Sequence, residues 1–222
     1  MAVLVTGGAD LRAVDGRVPG RRGLATRARL LDQTRELLAT TSYRDLKVVD
    51  IARAAGTSPA TFYQYFPDAE SALLALADEL VGEGRERLTR PVREASWDGR
   101  SAYDSCEAIA QTFLDFWDEH RSLLAVIDLA ATEDDQRFRE IRVRLLNSFT
   151  EVLVDAIDSQ RRAGRLPSDL DPTATASVLV AMLAQVSGHH YGIERYGTTT
   201  DEIRRAMARL LFSGITGRKP PG

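Results

Sequence analysis

Residues 48–67 stop one helical pattern and start another within three positions, and that punctuation limits what the chain can fold into more than any other feature. Val48, Ile51, Ala52 and Ala55 recur at i, i+3, i+4 and i+7, the apolar stripe of a short helix over 48–55. Gly56 follows where a helix ends, a position at which a left-handed backbone costs glycine little. Ser58 is a natural N-cap, and Pro59 suits the first helical position because the N–H it lacks would have no intrahelical partner there. A helix over 58–66 therefore begins almost where its predecessor stops. Pro67 ends it, and Asp68 is placed to cap a further helix reaching about Thr89. A helix, a tight turn containing glycine and a second helix opened by Ser-Pro is a helix-turn-helix pattern.

The second of those helices carries Phe62, Tyr63, Tyr65 and Phe66 within five positions, in a chain that is only 7% aromatic. At about 100° per residue, Phe62, Phe66 and Pro59 share one face and are expected to be buried. Ala60 and Gln64 point the opposite way, Thr61 and Tyr63 flank them, and Tyr65 straddles core and surface. A helix that enters a major groove needs small or amide side chains outward and hydroxyls on its shoulders, where the phosphate walls pass. From the residues alone, a plain helical hairpin satisfies the same periodicity.

Nearly everything from residue 23 onward has helical period. Leu30, Thr34, Leu37 and Leu38 mark a helix over 24–40, and later patterns cover 101–120, 122–131, 134–163, 172–194 and 200–215. "RPVREASWDGR", 90–100, reads as a linker and "RAGRLPSDLDP" as a loop. The expectation is an all-α chain. It has a flexible basic arm over 1–22, a three-helix helix-turn-helix domain over 23–68, a helical domain over 69–217 and a tail over 218–222. At 44% hydrophobic and 27% charged, it has the composition of an ordinary globular protein. No apolar run is long enough to span a membrane, and "MAVLV" lacks the basic region of a signal peptide. One cysteine, Cys106, cannot form an internal disulfide, which predicts a reducing cytoplasm.

The net charge of −3 hides an asymmetry. Arg12, Arg17, Arg21, Arg22, Arg27 and Arg29 face only Asp15 over residues 12–29, so the N-terminal end is basic and the remainder acidic. That distribution suits an anionic partner held at one end. "VLVTGGAD", 3–10, superficially matches a dinucleotide-binding turn, but Gly7 and Gly8 are adjacent rather than spaced G-x-G-x-x-G, and no strand pattern follows.

"VVDIARAAGTSPATFYQYFPDAESAL" resembles the DNA-binding domain of the tetracycline-repressor family of bacterial transcription regulators, with Asp50-Ile51-Ala52, Ala55-Gly56, Ser58-Pro59, Thr61-Phe62-Tyr63 and Phe66 in register. The resemblance covers residues 26–75. It implies a homodimer on a pseudo-palindromic operator of double-stranded DNA, released when a small ligand binds the C-terminal domain. It further implies that Tyr63 holds a phosphate, that Thr61 touches phosphate or base, and that Ala60 and Gln64 face the groove. Ser58 caps the recognition helix, whose N-terminus favours phosphate. Two positions depart from the family. Lys47 stands where a capping Thr or Ser is usual, and Ala69 stands where a lysine is usual, between Asp68 and Glu70. The arginine arm, with Arg27 and Arg44, is expected to compensate.

In the C-terminal part, Phe113, Phe116, Trp117 and His120 form one stripe, and Tyr103, Met182, His189, His190 and Tyr191 are expected to point toward the same interior. Large apolar surfaces with a few polar tips suit a largely apolar or aromatic effector, with His120, His189 or Tyr191 as hydrogen-bond partners. Core packing explains each residue singly just as well. Adjacent helical residues diverge by about 100°, so His189 and His190 make a poor metal pair, and neither a metal nor another cofactor is predicted. Nor is catalysis, because Cys106 has no local basic neighbour and no nucleophile elbow is present. Glu133, Asp134 and Asp135 read as a solvated loop. The small residues Ala174, Ala176, Ala181, Ala184, Ser187 and Gly188 permit close helix approach. By the resemblance, the last two long helices pair with their twofold mates.

Overall fold

In the computed structural model, which describes Val14 and residues 19–221, the regular structure of the described residues is entirely helical. The order is α1 Arg21–Leu38, a 3-10 turn Tyr43–Asp45, α2 Val48–Ala54, α3 Pro59–Tyr65, α4 Ala69–Arg93, α5 Ser101–Glu119, α6 Arg121–Thr132, α7 Gln136–Arg162, α8 Pro172–Glu194 and α9 Thr200–Thr216. The all-α expectation is met. "VLVTGGAD" and Arg12 and Arg17 of the arm lie outside the described residues.

Two boundaries differ from the sequence expectation. Helix α1 starts at Arg21, directly after Pro19-Gly20, so Arg21 and Arg22 belong to the helix rather than to the arm. Helix α4 runs through Pro91 to Arg93, so the linker expected from residue 90 begins later. Proline removes one backbone donor, but Leu88 and Val92 are both buried and hold the last turn against the core.

The chain contacts divide into two units. One comprises Met1–Gly82 with Ser122–Arg142, and the other Glu83–Arg121 with Val143–Gly222. This division is not the one expected at residue 68, because α4 and α7 each contribute one part to either unit. In the first unit, Leu30, Leu31, Ile51, Phe62 and Leu76 are buried, as are Leu124, Ile127 and Phe138 from α6 and the start of α7. In the second, the buried set includes Ile109, Phe113, Phe116, Phe149, Leu183, Leu211 and Ile215. There the second part of α4 approaches its neighbours at Gly84, where a Cβ would lie 2.5 Å from Leu145 Cδ1 and 3.2 Å from Phe116. A side chain there would have to displace the tip of Leu145 and press on the Phe116 ring, so glycine suits that close approach.

Candidate nucleic-acid interface

Gly56 has φ +65°, in the left-handed position just past α2 predicted for it. Ser58 caps α3: its Oγ accepts from the Thr61 N–H at 3.2 Å and lies 3.0 Å from the Thr61 hydroxyl. Pro59 occupies the first helical position. Two aromatics then anchor the helix. Phe62 and Phe66 are 0% and 3% exposed, with ring centroids 5.5 Å apart. Ala60 and Gln64 are exposed, Thr61 is half-buried, and Tyr63 is 51% exposed with its ring edge-on to Phe62. Pro59 was expected on the buried face but is exposed. Side chains tilt toward a helix N-terminus, so a first-turn residue overhangs the end instead of reaching the core.

Tyr65 is half-buried, and its hydroxyl would lie 3.2 Å from a Cβ built on Gly23. It therefore packs against the first turn of α1, a role its wheel position left open. The Val14 N–H donates to the Gln64 carbonyl at 2.9 Å, which brings that point of the arm to the C-terminal end of α3.

The expected cations divide. Lys47 is exposed at the N-terminus of α2 and makes no side-chain cap, as its chemistry required. Arg27 is only 5% exposed, with its guanidinium 5.2 Å from the Phe66 ring centroid and 3.7 Å from Glu79. It braces α1 against α3 and α4 rather than lying open to solvent, which corrects its expected place at a DNA surface. Burial also pushes the Glu79 carboxyl above its ordinary range, against the pull of Arg27 and Arg35. Arg44 is exposed but paired with Glu133, which also accepts from the Tyr43 hydroxyl at 3.0 Å.

Position 69 gains a neighbour that sequence reasoning missed. Asp68 accepts from the Ser71 N–H at 2.7 Å, so it caps α4, while Glu70 pairs with Arg137. Arg137 also binds Asp135 at 2.7 Å. The guanidinium holds the Asp135 carboxyl down to about 2, whereas burial and the nearby acids push Glu70 up. Glu133, Asp134 and Asp135 lie on the turn between α6 and α7, with Glu133 and Asp134 exposed as a solvated loop requires; in addition each is ion-paired, with Asp134 at φ +67° and bound to Arg139. Together with Tyr43, Asp68, Ala69, Glu70, Leu73, Ala130 and Phe138, Glu133 and Asp135 line a cavity of about 490 Å³. No spacing rule links Arg137 to residue 70, so only the fold could reveal this pair.

In the second unit, Phe113, Phe116 and Trp117 are buried, and Phe113 stacks on Trp117 at 5.4 Å. His120 lies beside Phe116, and its Nε2 is 3.0 Å from Glu83. Tyr103 and Met182 are half-buried, and Tyr103 meets Phe212 edge-on. His189 and Tyr191 do not point inward. His189 is exposed with Nδ1 3.1 Å from the Gln185 carbonyl, and Tyr191 is 38% exposed, its hydroxyl donating to Asp118 beneath Arg121. The buried histidine is His190, its Nδ1 3.0 Å from the Ser187 carbonyl. One helical step separates the two rings, so only one can face the core.

Glu83, Glu119 and His120 bring three potential ligand atoms within 4.8 Å of one another. Arg87 donates to both carboxylates, holds Glu119 below its ordinary range and supplies the cation the cluster needs. Cys106 is buried and its thiol is pushed up to about 12, which leaves it inert as a nucleophile. Among the described residues, no helix is long and apolar enough to cross a membrane.

Comparison with known proteins agrees with this geometry. Residues 30–76 match the bacterial regulatory proteins of the tetR family, and residues 88–222 match the tetracyclin repressor-like C-terminal domain. The HTH-type transcriptional regulator EthR of Mycolicibacterium smegmatis is 24% identical over 88% of both chains. The regulator FadR of Bacillus subtilis, solved in complex with stearoyl-CoA, superposes with a TM-score of 0.65 at 19% identity, covering 85% of this chain and 98% of its own. The SmeT–triclosan complex gives a TM-score of 0.65 at 16% identity, covering 89% and 98%.

Proposed function

The chain belongs to the tetracycline-repressor family of DNA-binding transcription regulators, and on that premise we propose that it is a repressor released from its operator by a small apolar ligand. The observation that carries the reading is the division of α3. Phe62 and Phe66 fix the helix from beneath, while Ala60, Tyr63 and Gln64 stand exposed on its outer side. Lys47 adds a cation at the start of α2, and the basic arm, anchored at Val14, supplies phosphate contacts in place of the lysine absent at Ala69.

The assembly in this reading is a homodimer through α8 and α9. Ala174, Val178, Ala181, Gln185, Gly188 and Gly192 are exposed at spacings of one helical stripe, and Leu210 of α9 is 57% exposed. Ala176, Ala184 and Ser187 pack within the chain instead. A stripe of small and apolar residues left to solvent on a long helix suits a twofold partner, and a twofold dimer suits an operator with half-sites about 34 Å apart. The effector is apolar or aromatic, by analogy with the acyl-CoA and triclosan bound by structural neighbours. The alternative is a DNA-binding regulator without a ligand. The mutual packing of Phe113, Trp117 and Phe149 favours it, since those rings fill space among themselves.

The test is a titration of stearoyl-CoA, and separately of triclosan, into the complex of the full chain with its selected operator duplex, followed by fluorescence anisotropy. The repressor reading expects one of them to release the DNA at micromolar concentration. Release by neither, with the complex stable throughout, favours the ligand-free alternative.

A further inference from the structure

We propose that Glu133, on the turn between α6 and α7, competes with operator phosphate for Arg44, so that a residue which touches no DNA sets part of the affinity for it. The inference rests on the operator-binding reading and needs no effector.

Arg44 belongs to the short segment that leads into α2. Leu46 is buried and pins that segment, while Arg44, Asp45 and Lys47 around it are exposed. In a helix-turn-helix the first helix crosses the phosphate backbone. Arg44 and Lys47, three residues apart at the entry to that helix, are placed for a phosphate wall. Without DNA, however, Arg44 is held elsewhere. Its guanidinium pairs with Glu133, its Nε donates to the Tyr43 hydroxyl at 3.4 Å, and it lies 5.7 Å from the Tyr43 ring centroid. The Tyr43 hydroxyl donates to Glu133 at 3.0 Å, which closes a ring of three contacts around one carboxylate. Tyr43, Arg44 and Glu133 all belong to the first of the two units.

Whether such a pair exchanges depends on what else holds it, and the neighbouring Arg137 shows the tight case. Glu70 and Asp135 bind its guanidinium together, Asp135 also accepts from the Arg137 backbone N–H at 2.9 Å, and the Asp135 carboxyl is held down to about 2. Arg44 has one carboxylate partner among the described residues, and the two side chains are 59% and 44% exposed. An ion pair that open to solvent is worth little. A phosphate offers what Glu133 lacks, because neutralising it releases a condensed counterion. Arg44 therefore exchanges partners on binding, and Arg137 does not. The exchange leaves Glu133 with Tyr43, and DNA weakens the Arg44–Glu133 pair by the same factor by which the pair opposes DNA.

The experiment measures binding of a selected operator duplex across a salt series, by fluorescence anisotropy, for the full chain, Glu133→Gln, Arg44→Ala and the double variant. Glu133→Gln keeps an acceptor for Tyr43 and removes the charge. It is expected to tighten binding about threefold at low salt, the scale of an exposed ion pair. Arg44→Ala is expected to weaken binding at every sequence and to lower the slope of log affinity against log salt by about 1. Once Arg44 is alanine, Glu133→Gln is expected to change little, because the competition has gone. Three results would each overturn the proposal alone: no tightening in Glu133→Gln, an unchanged salt slope in Arg44→Ala, or the same tightening with and without Arg44. The last would make Glu133 a general repulsive charge. Failure of the unaltered chain to bind any duplex would overturn the operator-binding reading together with the proposal.

Discussion

Four neighbouring aromatics on one short helix have three different roles, and burial separates them. Phe62 is fully buried, so Phe62→Ala should cost about 3–5 kcal/mol in chemical denaturation. Tyr63 is half in solvent, so Tyr63→Ala should leave the Tm within a few degrees while weakening operator binding roughly tenfold at every sequence, as loss of a phosphate contact does. Periodicity made Phe62, Phe66 and Tyr63 legible in advance. It could not place Tyr65, whose partner Gly23 is far away in sequence, or show that Arg27 is buried under Phe66, because charge alone does not report depth. Asp135 gives a pH test. Its carboxyl is held at about 2 instead of 3.8, so its contribution is fully present above pH 3.8 and is lost as the pH falls through 2. Urea unfolding of Asp135→Asn should therefore differ from wild type at pH 6 and converge with it near pH 2.

At the scale of elements, local chemistry fixed the boundaries that a few residues control, and packing fixed the others. The α2–α3 turn was readable because Gly56, Ser58 and Pro59 each have one favourable use there. Ser58→Ala should cost about 1 kcal/mol through the lost cap. Gly56→Ala should cost a similar amount through backbone strain alone, since a Cβ there would meet no atom within 4 Å. Thermal unfolding measures both. The end of α4 was not readable in the same way. Proline normally closes a helix, but burial of Leu88 and Val92 carries this one past Pro91. The orientation of α8 was also hidden. Apolar residues lie on all its sides, so its sequence could not show that His190 faces the core while His189 and Tyr191 face out.

For the whole molecule, the sequence pattern separated a DNA-binding end from a helical body, but not the grouping of α6 and the start of α7 with the DNA-binding helices. Buried Leu124, Ile127 and Phe138 belong to that grouping, and the surface pairs Arg137–Glu70 and Arg44–Glu133 accompany it; no spacing rule connects either pair. The basic arm makes a prediction at this scale. Deleting residues 1–18 removes Arg12 and Arg17 and should flatten the slope of log affinity against log salt by about 2. The central claim is that α3 reads operator DNA from a twofold assembly, and selection of bound duplexes from a random-sequence pool tests it most directly. The account predicts an enriched inverted repeat whose half-sites are one helical turn, or a multiple of it, apart, with base preference altered by Gln64→Ala and unaltered by Tyr63→Phe. An enriched sequence without twofold symmetry, or no enrichment at all, would contradict it.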